Sequence, residues 1–166
     1  MAQITLKGNP VNTSGTLPKA GDNAPDFLLT DTKLADKSLK DFAGKTLILN
    51  IFPSIDTPVC SMSVRKFNEE ITKFDNTAVL CISRDLPFAH ARFCGAEGLN
   101  NVVSLSELRN LDFGEKYGLR IKDGPLAGLL ARAVVMVDSK GKVIYTQLVP
   151  EIGEEPDYEK ALNLLK

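Results

Sequence analysis

Three thiols and one imidazole are the side chains of this sequence best suited to nucleophilic, redox or metal chemistry: Cys60, Cys81, Cys94 and His90. Cys60 has the most informative setting. It closes the stretch Pro53-Ser54-Ile55-Asp56-Thr57-Pro58-Val59-Cys60. Thr57 suits an N-cap, and Pro58 then falls at the first helical position, where its missing N–H costs nothing. Cys60 becomes the third residue of the helix, so its sulfur lies near unpaired backbone N–H groups and the positive end of the helix dipole. Both favour a thiolate, which is the nucleophilic form. The competing reading makes Cys60 the top of an apolar stripe that continues through Val64, Phe67, Ile71 and Phe74 at helical spacing.

The other candidates read more plainly from local sequence. Cys81 sits in the apolar run Val79-Leu80-Cys81-Ile82 and is expected to be buried filler. Cys94 ends a helical segment before Gly95, the place of a half-buried helix-end cysteine. His90, four residues earlier on the same face, is expected to be solvated. Three cysteines and one histidine would make four ligands, but no close ligand pair of the zinc-finger type is present, so no metal and no other cofactor is expected. Arg132 opens an apolar strand; alone it reads as a snorkelling surface residue, although its guanidinium offers a charged fork of donors. Arg65, five residues after Cys60, points to another helix face. The chain has no Cys-x-x-Cys pair, so any disulfide it forms needs an external dithiol for reduction.

These residues must be held by alternating elements. Short segments at Ile4 to Lys7 and Pro10 to Thr13 around Gly8-Asn9 predict an N-terminal hairpin. Strands are expected at Phe27 to Thr30, Thr46 to Phe52, Thr77 to Ser83 and Val102 to Leu105. Arg132 to Val137 and Lys142 to Val149 follow as strands around the turn Asp138-Ser139-Lys140-Gly141. Helices are expected from Thr57 to about Asp75, over Leu86 to Cys94 with a stop at Gly95, over Glu107 to Tyr117, and over Asp157 to Leu165. Alternation implies parallel strands with helices on the faces, and the late hairpin adds antiparallel ones. The fold class is therefore α/β with a mixed sheet; periodicity fits a thioredoxin-like order and also a flavodoxin-like one. An apolar strand feeding the Thr57 turn places Cys60 at the carboxyl end of the sheet, a usual ligand position in such folds.

Composition sets the outer limits. The chain has 166 residues with 20 basic and 21 acidic side chains, a net charge of −1. One domain over 1–166 is expected. There is no basic excess to hold phosphates, so nucleic acid is not an expected partner. The longest apolar runs are far too short to span a membrane. The first ten residues contain no basic stretch followed by an apolar run, so a cytoplasmic setting is expected, where thiols are kept reduced.

The stretch PSIDTPVC resembles the active-site pattern of the peroxiredoxins. The longer run NIFPSIDTPVCSMSVRKFN, with RFCGAEGLNN, DGPLAGLLARAVV and EPDY, is similar to the bacterial thiol peroxidase subfamily, and the likeness extends from GNPV near the start to the final helix. The resemblance implies a thioredoxin-like fold with an N-terminal hairpin. It implies that Cys60 is the peroxidatic cysteine, oxidised by hydrogen peroxide or an organic hydroperoxide to a sulfenic acid. Cys94 is implied as the resolving cysteine of an intramolecular Cys60–Cys94 disulfide, formed after both segments unwind. Thr57 and Arg132 are matched to the groups that hold the peroxide, and Pro53 to the proline that shields the thiolate. Thioredoxin is implied as the reductant, and a homodimer as the assembly. Ile55, Val59, Leu129 and Leu130 are expected near the site and would favour organic hydroperoxides. Two other readings use the same residues: a redox sensor read by a partner, and an interaction domain with incidental thiols.

Overall fold

The computed structural model describes residues 1–166. A seven-stranded mixed sheet runs in the order β4-β3-β7-β6-β5-β8-β9. Its members are β3 (Leu29–Asp31), β4 (Asp36–Lys37), β5 (Thr46–Ile51), β6 (Thr77–Ser83), β7 (Val102–Ser106), β8 (Ala133–Val137) and β9 (Val143–Leu148). The central strands β5, β6 and β7 are parallel, while β8 joins β5 antiparallel and β9 joins β8 antiparallel. On the other edge β3 pairs antiparallel with both β7 and β4. The helices are α1 (Pro58–Glu70), α2 (Pro87–Glu97), α3 (Asp112–Lys116) and α4 (Tyr158–Asn163).

Alternation along the strands splits the core in two, because successive strand residues face opposite sides. Leu47, Leu49 and Ile51 of β5 pack with Leu80 and Ile82 of β6 and with Ala133, Val135 and Val137 of β8 on one face. Ile48 of β5, Val79 and Cys81 of β6, and Val134 and Met136 of β8 face the other way. There they meet Cys60, Val64 and Phe67 of α1, Phe93 of α2, and Ala161 and Leu162 of α4. The uninterrupted apolar runs in the sequence are thus strands covered on both sides.

The N-terminal hairpin pairs β1 (Gln3–Leu6) with β2 (Asn9–Asn12). Its two-residue turn is Lys7-Gly8, one position earlier than the sequence pattern suggests, with φ of 51° and 81°. Positive φ at both positions is what the strand twist requires of such a turn, and glycine meets it without strain.

Two helices depart from expectation. α2 continues through Gly95 and stops at Gly98, whose φ of 67° lets its N–H close on the carbonyls of Cys94 and Gly95. Cys94 therefore sits inside the last turns of a helix and not at its end. The segment from Glu107 yields only the short α3. Glu107 is fully buried, and its carboxylate takes a bidentate pair from Arg120 (2.8 and 2.7 Å) and the Gly114 N–H (2.9 Å). Arg120 also donates to the carbonyls of Leu111 and Gly128. A buried charge must be paired, and meeting Arg120 holds residues 107–111 out of a helix.

Candidate active site

β5 ends at Ile51, and Phe52 and Pro53 that follow are buried. The loop then passes Ser54 to Thr57 and enters α1. Thr57 is the N-cap, with extended φ of −93° and ψ of 146°, and Pro58 opens the helix. Its carbonyl accepts the first intrahelical bond, from the Ser61 N–H at 3.0 Å. The side chain does not cap, which corrects the local reading of its hydroxyl. Thr57 Oγ1 instead donates back to the Ser54 carbonyl at 3.1 Å. The N–H groups of Val59 and Cys60 have no acceptor within the chain, as the first turn of a helix dictates.

Cys60 is fully buried. Arg132 Nη2 donates to its Sγ at 3.2 Å. Arg132 stands just before β8 and is 2% exposed, which overturns its reading as a surface side chain. Its backbone carbonyl accepts from the Val149 N–H at 3.0 Å, and its Nε donates to the Ile152 carbonyl at 2.9 Å. The backbone bond anchors the residue, and the Nε and Nη2 bonds together fix the plane of the guanidinium. The remaining nitrogen, Nη1, is buried and has no partner. A helix N-terminus, a sulfur and a guanidinium with one unspent nitrogen thus converge at the carboxyl end of β5, beside the antiparallel β8. The first turn of α1 carries no acidic side chain to offset this positive potential.

A redoxin family model matches residues 19–162. The chain is 56% identical to the thiol peroxidase of Corynebacterium glutamicum and 57% identical to that of Mycobacterium bovis, each over 99% of both chains. It belongs to the thiol peroxidases of the redoxin family. Solved structures agree. A peroxiredoxin-like protein from Aquifex aeolicus superposes with a TM-score of 0.94 at 42% identity, over 99% of this chain and 96% of that one. The thiol peroxidase from Chromobacterium violaceum does so with a TM-score of 0.91 at 25% identity, over 98% of this chain and 94% of that one. The thioredoxin-like reading of the α/β sheet, with its added hairpin, therefore holds over the flavodoxin-like one.

In this thiol peroxidase all three cysteines are free thiols. Cys94 is half-buried on α2, with Sγ 3.7 Å from Ser104 Oγ of β7. It borders an open cavity lined also by Asp31, Lys37, Gly95 and Leu99. Burial pushes its thiol above the ordinary cysteine range, against the pull of the Ser104 contact. The structure does not join it to Cys60: each sulfur has its own partner. Cys81 is fully buried on β6, and desolvation pushes its thiol up to about 12, although Asn50 Nδ2 approaches at 3.8 Å.

His90 is a correction. It is 1% exposed and not solvated. Nε2 lies 2.9 Å from Ser83 Oγ, and the ring meets Phe52 edge-on at 6.2 Å. Burial lowers its pKa, outweighing the opposing charges of Asp85 and Asp56. Leu130 is a second correction. It packs in the core on the far face of the sheet, with Leu129 against the same cluster, whereas Ile55 shares the cluster of Cys60. Sequence reasoning missed Asp85, whose carboxylate accepts from Ser54 Oγ at 2.8 Å and from the Ile55 N–H at 2.7 Å. The available signal was the polar run Ser83-Arg84-Asp85, directly after an apolar strand and hence at the carboxyl edge of the sheet. It also missed Tyr158 at the start of α4. That ring packs edge-on against Phe67 at 5.3 Å, and its hydroxyl donates to Glu155 at 2.9 Å.

Proposed function

We propose that this enzyme reduces hydrogen peroxide and organic hydroperoxides through Cys60 and Cys94, with thioredoxin as reductant. The observation that carries the reading is the guanidinium of Arg132, with one nitrogen on Cys60 Sγ and the next one buried and unpartnered. A buried donor without an acceptor is costly and asks for a ligand. A hydroperoxide lying in line with Sγ supplies it.

The Cys60 thiolate attacks the nearer peroxide oxygen. A sulfur–oxygen bond forms, the oxygen–oxygen bond breaks, and the distal oxygen leaves as hydroxide or alkoxide, which takes back from solvent the proton the thiol lost on ionising and becomes water or an alcohol. Cys60 becomes a sulfenic acid. Negative charge spreads along the sulfur–oxygen–oxygen line in the transition state, so donors already fixed there lower the barrier. Arg132 Nη1 and the free N–H groups of Val59 and Cys60 are such donors. Thr57 Oγ1 has one proton, now on the Ser54 carbonyl, and turns it to the peroxide when substrate arrives. Pro53, buried ahead of the loop, keeps water from the sulfur. Ile55 and Phe52, packed in the cluster that holds Cys60, favour an alkyl hydroperoxide.

Cys94 then attacks the sulfenic sulfur, releasing water and leaving the Cys60–Cys94 disulfide. A disulfide needs Cα atoms within about 7 Å, so the first turn of α1 and the end of α2 unwind to meet. A dithiol reduces the disulfide and regenerates both thiols; the chain has no Cys-x-x-Cys pair of its own to do so. The working unit is the single domain 1–166, paired as a homodimer in the cytoplasm, with no metal or cofactor. Mass spectrometry after one equivalent of hydroperoxide tests the chemistry. A linked Cys60–Cys94 peptide is expected, and any other pairing removes the reading. Steady consumption of peroxide in the presence of thioredoxin and its reductase tests the reductant.

A further inference from the structure

We propose that Asp85 is a positioning residue that clasps the Cys60 loop and the Cys94 helix shut together, so that loosening one loosens the other. The proposal deepens the disulfide cycle above and rests on that reading for its meaning, though not for its test.

The geometry is a continuous chain of hydrogen bonds, half-buried at Ser54 and Asp85 and fully buried at Ser83 and His90. On one side the Asp85 carboxylate accepts from Ser54 Oγ at 2.8 Å and from the Ile55 N–H at 2.7 Å. Both residues lie in the loop that leads into Thr57 and Cys60. On the other side it accepts the hydroxyl proton of Ser83. A serine hydroxyl has one proton and two lone pairs. That proton goes to the carboxylate, which can only accept. Ser83 Oγ must then accept from its other neighbours, the Asp85 N–H at 3.1 Å and His90 Nε2 at 2.9 Å. His90 is therefore the Nε2–H tautomer, donating from α2 one helical turn before Cys94. Its Nδ1 is a bare acceptor, buried and without partner.

One carboxylate thus holds the Cys60 loop directly and His90 of α2 through the Ser83 hydroxyl, the two segments that must open for the cysteines to meet. The alternative ties are weaker. Arg92 and Asp56 also bridge α2 and the loop at 3.0 Å, but both side chains are about two-thirds exposed (68% and 64%), where an ion pair contributes little. Arg65 and Glu97 join α1 to α2 further along, again at the surface.

The test is amide hydrogen exchange on the full-length reduced protein, with Ser54→Ala as the probe variant. Ser54 touches the loop side only. If Asp85 couples the two segments, the amides of Ala91 to Cys94 in α2 lose protection in this variant. The expected change is roughly tenfold, the scale of one lost charge-assisted hydrogen bond. Asp85→Asn, whose amide cannot accept at both oxygen positions, should raise exchange in both segments. Asp56→Ala, which breaks only the exposed pair, should leave α2 protection close to that of the parent. Faster exchange confined to residues 54–60 in Ser54→Ala overturns the proposal, as does a larger effect from Asp56→Ala. Stopped-flow kinetics adds a readout that general destabilisation would not split. In Ser54→Ala the reaction with peroxide should slow while disulfide closure speeds up; both steps slowing together counts against the clasp. If the parent protein forms no Cys60–Cys94 disulfide, the cycle fails, and the exchange result still decides the clasp.

Discussion

Arg132 and Cys60 are 72 positions apart in sequence, yet Nη2 of the first lies 3.2 Å from Sγ of the second, inside a fully buried site. The contact depends on the antiparallel pairing of β8 with β5, which brings the residue before β8 to the end of β5 that feeds α1. Arg132→Ala removes both the partner of the sulfur and the unspent donor. The reaction of Cys60 with hydroperoxide should slow by about 10²–10³-fold, the usual cost of deleting an aimed transition-state donor. Arg132→Lys should recover only a small part, because one ammonium cannot serve the Ile152 carbonyl, the sulfur and the peroxide in fixed geometry. Single-turnover kinetics checks both, and a lysine variant as fast as the parent would refute the role of the fork.

Thr57 separates capping from chemistry. Its hydroxyl makes no cap bond, so Thr57→Val should cost less stability than the ~1 kcal/mol typical of a lost N-cap. The peroxide step should still fall by about tenfold or more, since a hydroxyl donor is gone. Thr57→Ser should stay near the parent. Thermal melting and stopped-flow rates on the same three proteins make the comparison; a large fall in melting temperature with an unchanged rate would reverse the assignment.

The thiols should divide cleanly by substitution. Cys60→Ser should have no turnover. Cys94→Ser should consume one equivalent of hydroperoxide and stop, with Cys60 left as a sulfenic acid that a dimedone adduct reports. Normal cycling by Cys94→Ser would refute its resolving role. Cys81→Ser should change the rate by less than about twofold, because its proton is held too tightly for it to attack.

Acid should loosen the fold through His90. Its pKa is lowered in the folded protein, chiefly by burial, so the unfolded chain takes up the proton first. The stability due to neutral His90 is complete above its ordinary value of 6.5 and is lost as the pH falls from there towards the lower folded value. Asp85 and Asp56 oppose the shift and narrow that window. Urea unfolding between about pH 5 and 8 measures the slope. His90→Gln, which can keep a donor towards Ser83, should flatten it; an equal slope in the variant would place the titration elsewhere.

Much of this was legible in the sequence because it is local. Thr57-Pro58 marks the start of α1, the runs 46–52 and 77–83 mark strands buried on both faces, and the Asp138 to Gly141 turn marks the β8–β9 hairpin. What could not be read locally depends on partners distant in the chain. Glu107 opens a plausible helical stretch, and only its pairing with Arg120 holds that stretch as a loop. His90 looks solvated on a helix of weak amphipathicity until Ser83 and Phe52 close over it. Arg132 reads as a surface cation until the carbonyl of Ile152 and the sulfur of Cys60 are in place.

The position of Cys81 has a practical consequence. It lies on β6, between β5 and β7, under the first turns of α1. Of the three sulfurs only that of Cys94 is partly open to a thiol-labelling reagent in the folded enzyme, and Cys81 reports only after the sheet comes apart. The molecule carries its own gauge of intactness: counting labels after an oxidative challenge tells a cycling population from a denatured one.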